Sequence, residues 1–260
     1  MSAVPNPSTD KIIELTLIEG RLARKPKVRY NKDGSIDKRR SNKVAGVSSE
    51  VYPFATEEEI KAMIDVFNKH IDEAETDNKK QIAARNKMLF LIGINLSLRI
   101  SDLVSLKWNF FLKDDMTFRE FYKIQPKKTK KTGKFVTLYF NEVVKKTIAD
   151  YIEQYPIEDI NGFVFKSREG TGAISERSVW RIIVDASAEA GIEHNVGTHS
   201  LRKTFGYHVW HNADDKEKAL VMLMVIFNHS SIATTKKYIG IMNEEIEDVF
   251  NDLNLGLDLL

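Results

Sequence analysis

The chain has 260 residues, of which 42% are hydrophobic and 29% are charged, and its formal net charge is +2 at pH 7. This composition predicts a globular protein with one large domain, or one domain and an appendage. We expect no membrane-spanning helix, because no apolar run approaches about 20 residues, and no signal peptide, because the first residues lack an apolar core. The absence of cysteine excludes disulfides, thiolate zinc sites and cysteine nucleophiles, and it fits a reducing cytoplasm.

The first 47 residues contain an apolar part followed by a basic part. Isoleucines and leucines within residues 12–18 predict a short helix. Residues 21–43 then hold ten lysines and arginines against two aspartates. Few apolar side chains accompany this charge, so we expect residues 1–47 to form a flexible basic arm. Such an arm can lie along a DNA phosphate backbone, with Arg39 and Arg40 as predicted contacts.

Residues 48–260 are predicted to form one folded domain that begins with helices. Thr56 and Glu59 have the spacing of a capping box, in which each side chain bonds to the main chain of the other, and they predict the start of a helix. Apolar residues within 82–94 indicate a second helix, apolar enough to be central. Ser101 is the predicted N-cap of a short helix.

Beyond Phe118 the apolar spacing changes from helical to alternating, which predicts strands. They form a small antiparallel sheet within residues 118–140 and 162–166, and Gly133 marks the turn of a basic hairpin. Helical spacing returns afterwards, so the predicted fold is mainly α with a small antiparallel β-sheet. The further predicted helices cover residues 143–151, the stretch from Ser175 (as N-cap) to 186, the stretch that begins at His199, residues 220–227, and the segment that leads to Tyr238.

Four separate places along the domain carry groups that can act on a phosphate. His199 and Arg202 share one face of a helix, because they are three residues apart; Arg99, the hairpin lysines, and the pair His229 and Tyr238 are the others. Arginines neutralise phosphate oxygens bidentately, and a phenol can attack phosphorus. A hairpin lysine can protonate the leaving oxygen. The sequence therefore predicts transesterification at a DNA phosphodiester, with no carboxylate cluster for a metal.

The order and spacing of these motifs resemble the tyrosine recombinases, the phage-integrase family of site-specific DNA recombinases. The resemblance covers about residues 50 to 250. Within the family, the chain most resembles the compact integrases of Firmicutes bacteria and their phages. It rests on Ser97-Leu98-Arg99-Ile100-Ser101-Asp102-Leu103, on Thr198-His199-Ser200-Leu201-Arg202, and on Asn228-His229-Ser230-Ser231, which Tyr238 follows nine positions after the histidine.

The resemblance implies a role for each matching residue. Tyr238 resembles the nucleophile, and Arg99 and Arg202 resemble the two phosphate-binding arginines. His199 resembles the histidine that assists proton transfer, and His229 resembles the histidine that donates a hydrogen bond to the phosphate. The resemblance also implies the fold of the family's catalytic domain, with no cofactor and no metal.

The resemblance further places the catalytic lysine in the β-hairpin. Lys131, before Thr132 and Gly133, fits that register, and Lys128 is the alternative. Asp102 matches the acidic residue that supports the first arginine. The predicted contacts to double-stranded DNA are basic side chains of the hairpin, of the motifs and of the arm: Lys128, Lys130, Lys134, Lys203, Lys236, Lys237, Arg39 and Arg40.

The resemblance implies site-specific strand exchange through a covalent 3′-phosphotyrosine. We expect a monomer in free solution and a homo-tetramer on two synapsed DNA sites, with accessory DNA-bending proteins as candidate partners. The compartment would be a bacterial cytoplasm, or the host cytoplasm for a phage protein. The apolar tail over residues 244–260 is predicted to dock on a neighbouring protomer. Family members also carry a helical core-binding domain, which about fifty mostly polar residues cannot build, so we expect a catalytic domain preceded by a basic arm.

Two alternatives to recombination remain at this point. A type IB topoisomerase or a hairpin-forming resolvase uses the same arginine, lysine and tyrosine chemistry without strand exchange. A catalytically inactive DNA-binding regulator would keep the fold and lose at least one catalytic residue. All six predicted catalytic residues are present in the sequence: Arg99, Lys131, His199, Arg202, His229 and Tyr238. A metal site at His199, His208 and His211 does not fit the spacing of a usual zinc site.

Overall fold

A computed structural model gives the fold of the chain. It divides the chain into two compact units, Met1–Glu50 and Val51–Leu260. The residues that it describes are 15–18, 21–24, 50–127, 133, 135–241 and 250.

The first unit contains a β-hairpin. Strand β1 (Leu15–Ile18) pairs antiparallel with strand β2 (Arg21–Arg24). The prediction of a helix over residues 12–18 is therefore wrong for the part of it that the structure describes. The sequence signal for a hairpin is Gly20 between the two apolar segments, because glycine is typical of hairpin turns.

The second unit begins with two long helices, α1 (Glu57–Asp72) and α2 (Asp77–Asn95). The predicted capping box of α1 is confirmed: Thr56 Oγ1 accepts a hydrogen bond from Glu59 N at 3.1 Å, and Glu59 Oε2 accepts one from Thr56 N at 3.4 Å. Helix α2 is central, as its apolar sequence predicts. The first helix and two later ones pack against it, and its core side chains include Met88, Leu89, Phe90 and Ile92.

Two one-turn helices follow, α3 (Ile100–Leu103) and α4 (Trp108–Phe111). The prediction that Ser101 caps the first of them is wrong, because the N-cap is Arg99 and the hydroxyl of Ser101 is already inside the helix. The reason lies just upstream, where Ser97 has a φ of +54° and turns the chain out of α2. Arg99, the N-cap residue of α3, has an extended backbone conformation.

The strands β3 (Phe121–Ile124) and β4 (Val136–Tyr139) form the predicted antiparallel pair within residues 118–140. The predicted strand at residues 162–166 is wrong. Phe163 forms an isolated bridge to Lys107, and Lys107 is the N-cap of α4. A strand needs a continuous ladder of partners, which ends here where the partner chain turns into a helix.

From residue 142 to residue 241, the described part of the second unit consists of helices joined by loops, as predicted. The predicted N-cap Ser175 is confirmed, because its hydroxyl accepts a hydrogen bond from Ser178 N at 3.0 Å. The helices of this part are α5 (Glu142–Gln154), α6 (Glu176–Glu189), α7 (Thr198–His211), α8 (Lys216–Phe227) and α9 (Ile232–Ile239).

Two buried apolar clusters hold these helices together. The larger one surrounds α2, and the smaller one joins α7, α8 and α9 through Leu223, Phe227 and Ile239. At Gly206 of α7, an added Cβ would lie 2.5 Å from Ile239 Cγ2 and 2.8 Å from Phe227 Cζ. Glycine therefore allows α7 to lie directly against α9 and the end of α8, which is where the functional residues gather.

Among the described residues, no single helix has the length and apolar composition of a membrane span. Helices α8 and α9 reach those limits only when taken together, and they meet at an angle of 89°.

Candidate active site

Helix α7 presents the histidine and the arginine of the predicted pair. His199 is exposed in its first turn, whereas Arg202 is buried one turn later. Both face the same phenol: His199 Nδ1 lies 3.4 Å from Tyr238 OH, and Arg202 Cζ lies 6.0 Å from the centroid of the Tyr238 ring. The predicted helical spacing therefore does bring an imidazole and a guanidinium to one spot.

The end of α8 fixes the guanidinium of Arg202. Its Nη2 donates a hydrogen bond to Phe227 O at 3.1 Å, and its Cζ lies 4.5 Å from the centroid of the Phe227 ring. Burial lowers the pKa of Arg202 to about 10; Arg99 adds to the lowering, whereas Tyr238 and Asp102 oppose it. A pKa of about 10 leaves this group positively charged at neutral pH.

The two predicted arginines line one cleft of about 280 Å³, which we call the arginine cleft. Arg99 lines it from the N-terminus of α3 and Arg202 lines it from α7, beside Asp102, Pro126 and Asn228. Arg99 is close enough to lower the pKa values of Arg202, Tyr238 and His229. The cleft therefore concentrates positive charge, as the binding of a phosphodiester requires.

The turn between α8 and α9 places the second histidine beside the phenol. Asn228 ends α8 in the left-handed conformation, with φ 53° and ψ 49°, which asparagine tolerates better than most residues. The chain then reverses, and Ser231 caps α9 by accepting a hydrogen bond from Thr234 N at 3.1 Å. The ring centroids of His229 and Tyr238 are 5.1 Å apart as a result.

The protonation of these two rings follows from burial and the nearby cations. Burial raises the pKa of Tyr238, and the positive charges of Arg202 and Arg99 partly oppose it. Burial, then Arg202 and Arg99, lower the pKa of His229. At neutral pH Tyr238 is therefore a neutral phenol and His229 an uncharged imidazole. The phenol needs a proton acceptor before it can attack, and His199 Nδ1 lies within reach.

Asp102 connects α3 to the lysine hairpin. Its carboxylate is buried, and Oδ1 accepts a hydrogen bond from Lys127 N at 2.9 Å. Asp102 therefore contacts the chain that leads into the hairpin, and its support of Arg99 stays a prediction. Gly133 has a φ of +67°, which fits its predicted turn. The predicted lysines of the hairpin, Lys128, Lys130, Lys131 and Lys134, lie outside the described residues.

The other predicted DNA contacts have different environments. Lys203 is buried, with its Nζ 5.8 Å from the centroid of the Tyr238 ring, so its charge faces the phenol instead of the protein surface. Lys236 is half-buried and Lys237 is exposed. Arg39 and Arg40 lie outside the described residues.

Two residues of the site were not singled out by sequence reasoning. Phe227 holds Arg202 through its carbonyl and ring, and Thr235 places its Oγ1 3.1 Å from His229 Nδ1. Thr235 is one helical turn before Tyr238, which is a usable signal. Its partner His229 is six residues away across the helix start, and no helical spacing predicts that contact.

Within the described part of the chain, no group of three or more His, Cys, Asp or Glu side chains is placed to hold a metal ion.

The fold is that of tyrosine recombinase catalytic domains, as the sequence predicts. The crystal structure of XerA recombinase superimposes with a TM-score of 0.55 at 19% identity, over 80% of this chain and 66% of that one. The XerH recombinase bound to its palindromic difH substrate, in a post-cleavage complex, gives a TM-score of 0.54 at 17% identity, over 85% of this chain and 60% of that one.

The family is shown by the sequence comparisons. The model of the phage integrase family matches residues 53–245, and the chain belongs to this family. The probable integrase/recombinase YoeC of Bacillus subtilis (strain 168) is 37% identical over 157 residues, which are 60% of this chain and 78% of YoeC. The tyrosine recombinase XerA of Pyrococcus furiosus is 24% identical over 205 residues, which are 79% of this chain and 63% of XerA. The chain thus spans less than two thirds of the length of that relative.

Proposed function

We propose that the protein is a site-specific DNA recombinase that cleaves and rejoins DNA strands through a covalent 3′-phosphotyrosine. The observation that carries this proposal is the convergence on Tyr238 of groups from separate elements. His199 and Arg202 reach it from α7, and His229 reaches it from the turn before α9. Membership of the phage integrase family favours this function over a type IB topoisomerase or a hairpin-forming resolvase.

The two arginines bind the scissile phosphate in this mechanism. Arg99 and Arg202 line one cleft, so both can donate hydrogen bonds to the non-bridging oxygens, on which negative charge builds during attack. Arg202 is held by Phe227 O, so little reorganisation is needed when the phosphate enters. His229 supplies a further hydrogen bond to the phosphate.

Tyr238 is the nucleophile. Its oxygen bonds to phosphorus while its proton passes to an acceptor, for which His199 Nδ1 at 3.4 Å is placed. The bond from phosphorus to the 5′ oxygen breaks, and that oxygen takes a proton from a hairpin lysine, Lys131 or, as the alternative, Lys128. Attack by the 5′ hydroxyl of another strand reverses these steps. The phosphotyrosine bond conserves the energy of the broken linkage, so no cofactor is needed.

The DNA and protein partners follow from this function. The substrate is double-stranded DNA with specific attachment-type sites, in a bacterial or phage-host cytoplasm. A monomer in solution assembles into a homo-tetramer on two synapsed sites, with DNA-bending proteins as accessory partners. Residues 244–260 dock on a neighbouring protomer, and the basic arm over residues 1–47 contacts DNA beside the catalytic domain that starts at residue 48.

A nicked suicide substrate tests the proposed function. The wild-type chain should become covalently attached to such a site, because the cleaved strand diffuses away and prevents rejoining. Tyr238→Phe should abolish the adduct and keep DNA binding. Tyr155→Phe, which removes a half-buried phenol outside the site, is the matched control and should leave the adduct unchanged. A wild-type chain that forms no adduct on its own site would contradict the proposal.

A further inference from the structure

A buried threonine lies behind one of the two site histidines. Thr235 is 0% exposed and precedes Tyr238 by one turn of α9. Its Oγ1 lies 3.1 Å from His229 Nδ1 and 3.3 Å from Ser231 O, the main-chain carbonyl of the N-cap residue of α9. These three groups form a chain of hydrogen bonds that ends on the ring of His229.

The chemistry of the three groups gives this chain a direction. A carbonyl oxygen can only accept, so Ser231 O takes the single hydroxyl proton of Thr235. Thr235 Oγ1 then has only lone pairs for His229, and a hydrogen bond forms when the ring carries its proton on Nδ1. Among the described residues, the His229 ring forms its hydrogen bond through Nδ1. Its Nε2 is therefore the nitrogen that remains for a bound phosphate.

We propose that Thr235 is a positioning residue that holds His229 in the Nδ1–H tautomer and presents Nε2 to the phosphodiester. The proposal rests on the recombinase function proposed above, because the phosphodiester is the substrate of that function. Thr235 acts through His229, in the way that a second hydrogen-bond partner orients a metal-bound histidine and fixes its tautomer.

The charged groups around His229 agree with this arrangement. Burial, then Arg202 of α7 and Arg99 before α3, lower the pKa of His229, so its ring is neutral at pH 7. Tyr238 faces the ring from α9 and is uncharged at that pH, because burial raises its pKa. A bound phosphate offsets the field of the two arginines and favours uptake of a proton from solvent at Nε2. The new N–H then donates a hydrogen bond to a phosphate oxygen.

The tautomer can be measured directly in the full chain without DNA. Histidine labelled with ¹⁵N gives different nitrogen shifts for the two neutral tautomers, and His229→Gln identifies the signals of residue 229. We expect the Nδ1–H form in the wild type at pH 7.5. Thr235→Val has the same shape without the hydroxyl, and it should move residue 229 toward the Nε2–H form. Thr235→Ser restores the hydroxyl and should restore the wild-type signals.

Cleavage of the suicide substrate is the second measurement. Thr235→Val should form the covalent adduct about tenfold more slowly, as expected for the removal of one hydrogen bond in the site, and should bind DNA as the wild type does. The matched control is Thr234→Val on the same helix, because the Thr234 hydroxyl is exposed and pairs with Ser231 Oγ, not with His229. That variant and Thr235→Ser should remain within about twofold of the wild-type rate.

Either measurement can overturn the proposal. An Nε2–H tautomer at residue 229 of the wild type, or an unchanged tautomer in Thr235→Val, contradicts the positioning role even if the enzyme cleaves DNA. Wild-type cleavage by Thr235→Val also contradicts it. If the wild type forms no adduct, the recombinase function fails, while the tautomer measurement still decides whether Thr235 controls His229. Thermal unfolding of both valine variants distinguishes a local effect from a loss of folding.

Discussion

Arg202 is a cation that the fold has enclosed. Its side chain is 5% exposed, yet its pKa of about 10 keeps it charged at neutral pH. Its Nη2 donates to a main-chain carbonyl, Phe227 O, which carries no compensating charge. An enclosed cation costs free energy unless an anion approaches it. Asp102 offsets part of this cost, and under the proposed function the DNA phosphate offsets more of it.

A lysine should not replace this arginine. Arg202→Lys keeps the charge but loses the planar fork that binds both Phe227 O and a phosphate, so adduct formation should slow by about 10²–10³-fold. Single-turnover cleavage measures the effect. Arg168→Lys is the control, because that arginine is on the surface and pairs with Glu169. Equal rates of adduct formation for Arg202→Lys and the wild type would contradict a role of the Arg202 guanidinium in phosphate binding.

His229 should make the folded state sensitive to acid. Its folded-state pKa is lowered below the unfolded value of about 6.5, so the unfolded chain takes up the proton first. The stability that the neutral ring provides is present above about pH 6.5 and is lost as pH falls below that value. Urea midpoints between pH 7.5 and 5 should therefore fall more for the wild type than for His229→Gln. An equal fall of the urea midpoint in both proteins would show that folding does not lower the pKa of His229.

Particular residues show how far the site could be predicted from sequence. The spacing of His199 and Arg202, and the order of the motifs, indicated which side chains gather, because helix geometry converts spacing into a shared face. The contact of Asp102 with Lys127 N could not be predicted, because it depends on the path of a loop. The burial of Lys203 was likewise hidden, since a lysine in a motif is ordinarily a solvent-facing charge.

At the scale of elements, the position of the nucleophile depends on how closely α7 and α9 approach each other. Gly206 of α7 lies against Ile239, the residue next to Tyr238, and against Phe227, which holds Arg202. One contact therefore sets the positions of both the phenol and the guanidinium. A change in this contact should move the two groups together.

Gly206→Ala should weaken both folding and cleavage. The new methyl group would lie 2.5 Å from Ile239 Cγ2 and 2.8 Å from Phe227 Cζ, and such overpacking costs about 1–3 kcal/mol. Alanine is the better helix former by about 1 kcal/mol, which offsets only part of this cost. Urea unfolding and adduct formation measure the two effects. Gly172→Ala meets no atom within 4 Å and should change neither; a Gly206→Ala variant as stable and active as that control would contradict the packing argument.

The elements that were predicted correctly have local causes. The capping box at Thr56 and the N-cap at Ser175 are set by residues three or four positions apart, which a sequence displays directly. The wrong predictions depend on distant partners. Residues 163–165 are a short apolar run of the kind found in buried strands, but Lys107 offers a single bridge. The apolar residues before Glu19 fit helix and strand equally well, and their pairing with β2 decides between them.

At the scale of the whole molecule, the net charge of +2 hides an uneven distribution. Ten basic residues lie within positions 21–43 of the first unit, while the second unit concentrates Arg99 and Arg202 in one cleft. Two separate cationic regions suit a partner that is a long polyanion. Under the proposed function, the arm increases the affinity for DNA, and the arginines of the cleft take part in strand cleavage.

Replacing Arg39 and Arg40 with glutamine should flatten the salt dependence of DNA binding. The slope of log K against log salt should change by about 0.9 for each phosphate that the variant no longer neutralises, and cleavage at saturating DNA should be unaffected. Fluorescence anisotropy over a range of salt concentrations measures the slope. Lys146→Gln, which removes a surface lysine paired with Asp150 on α5, is the control. A slope equal to that of the control would show that these arginines do not contact DNA.

The hydrogen bond between Asp102 and Lys127 N also ties one end of the lysine hairpin to α3. The segment that contains Lys128 and Lys131 has one end at Lys127, tied to α3, and the other at Val136, paired with Ile124. Fixing the two ends of a chain segment lowers the chain entropy of that segment. Under the proposed function, anchoring of these two ends beside the arginine cleft would raise the effective concentration of the proton donor, Lys131 or Lys128, at the phosphate. Asp102, which is predicted to support Arg99, would thereby also favour the encounter between the leaving oxygen and its proton donor.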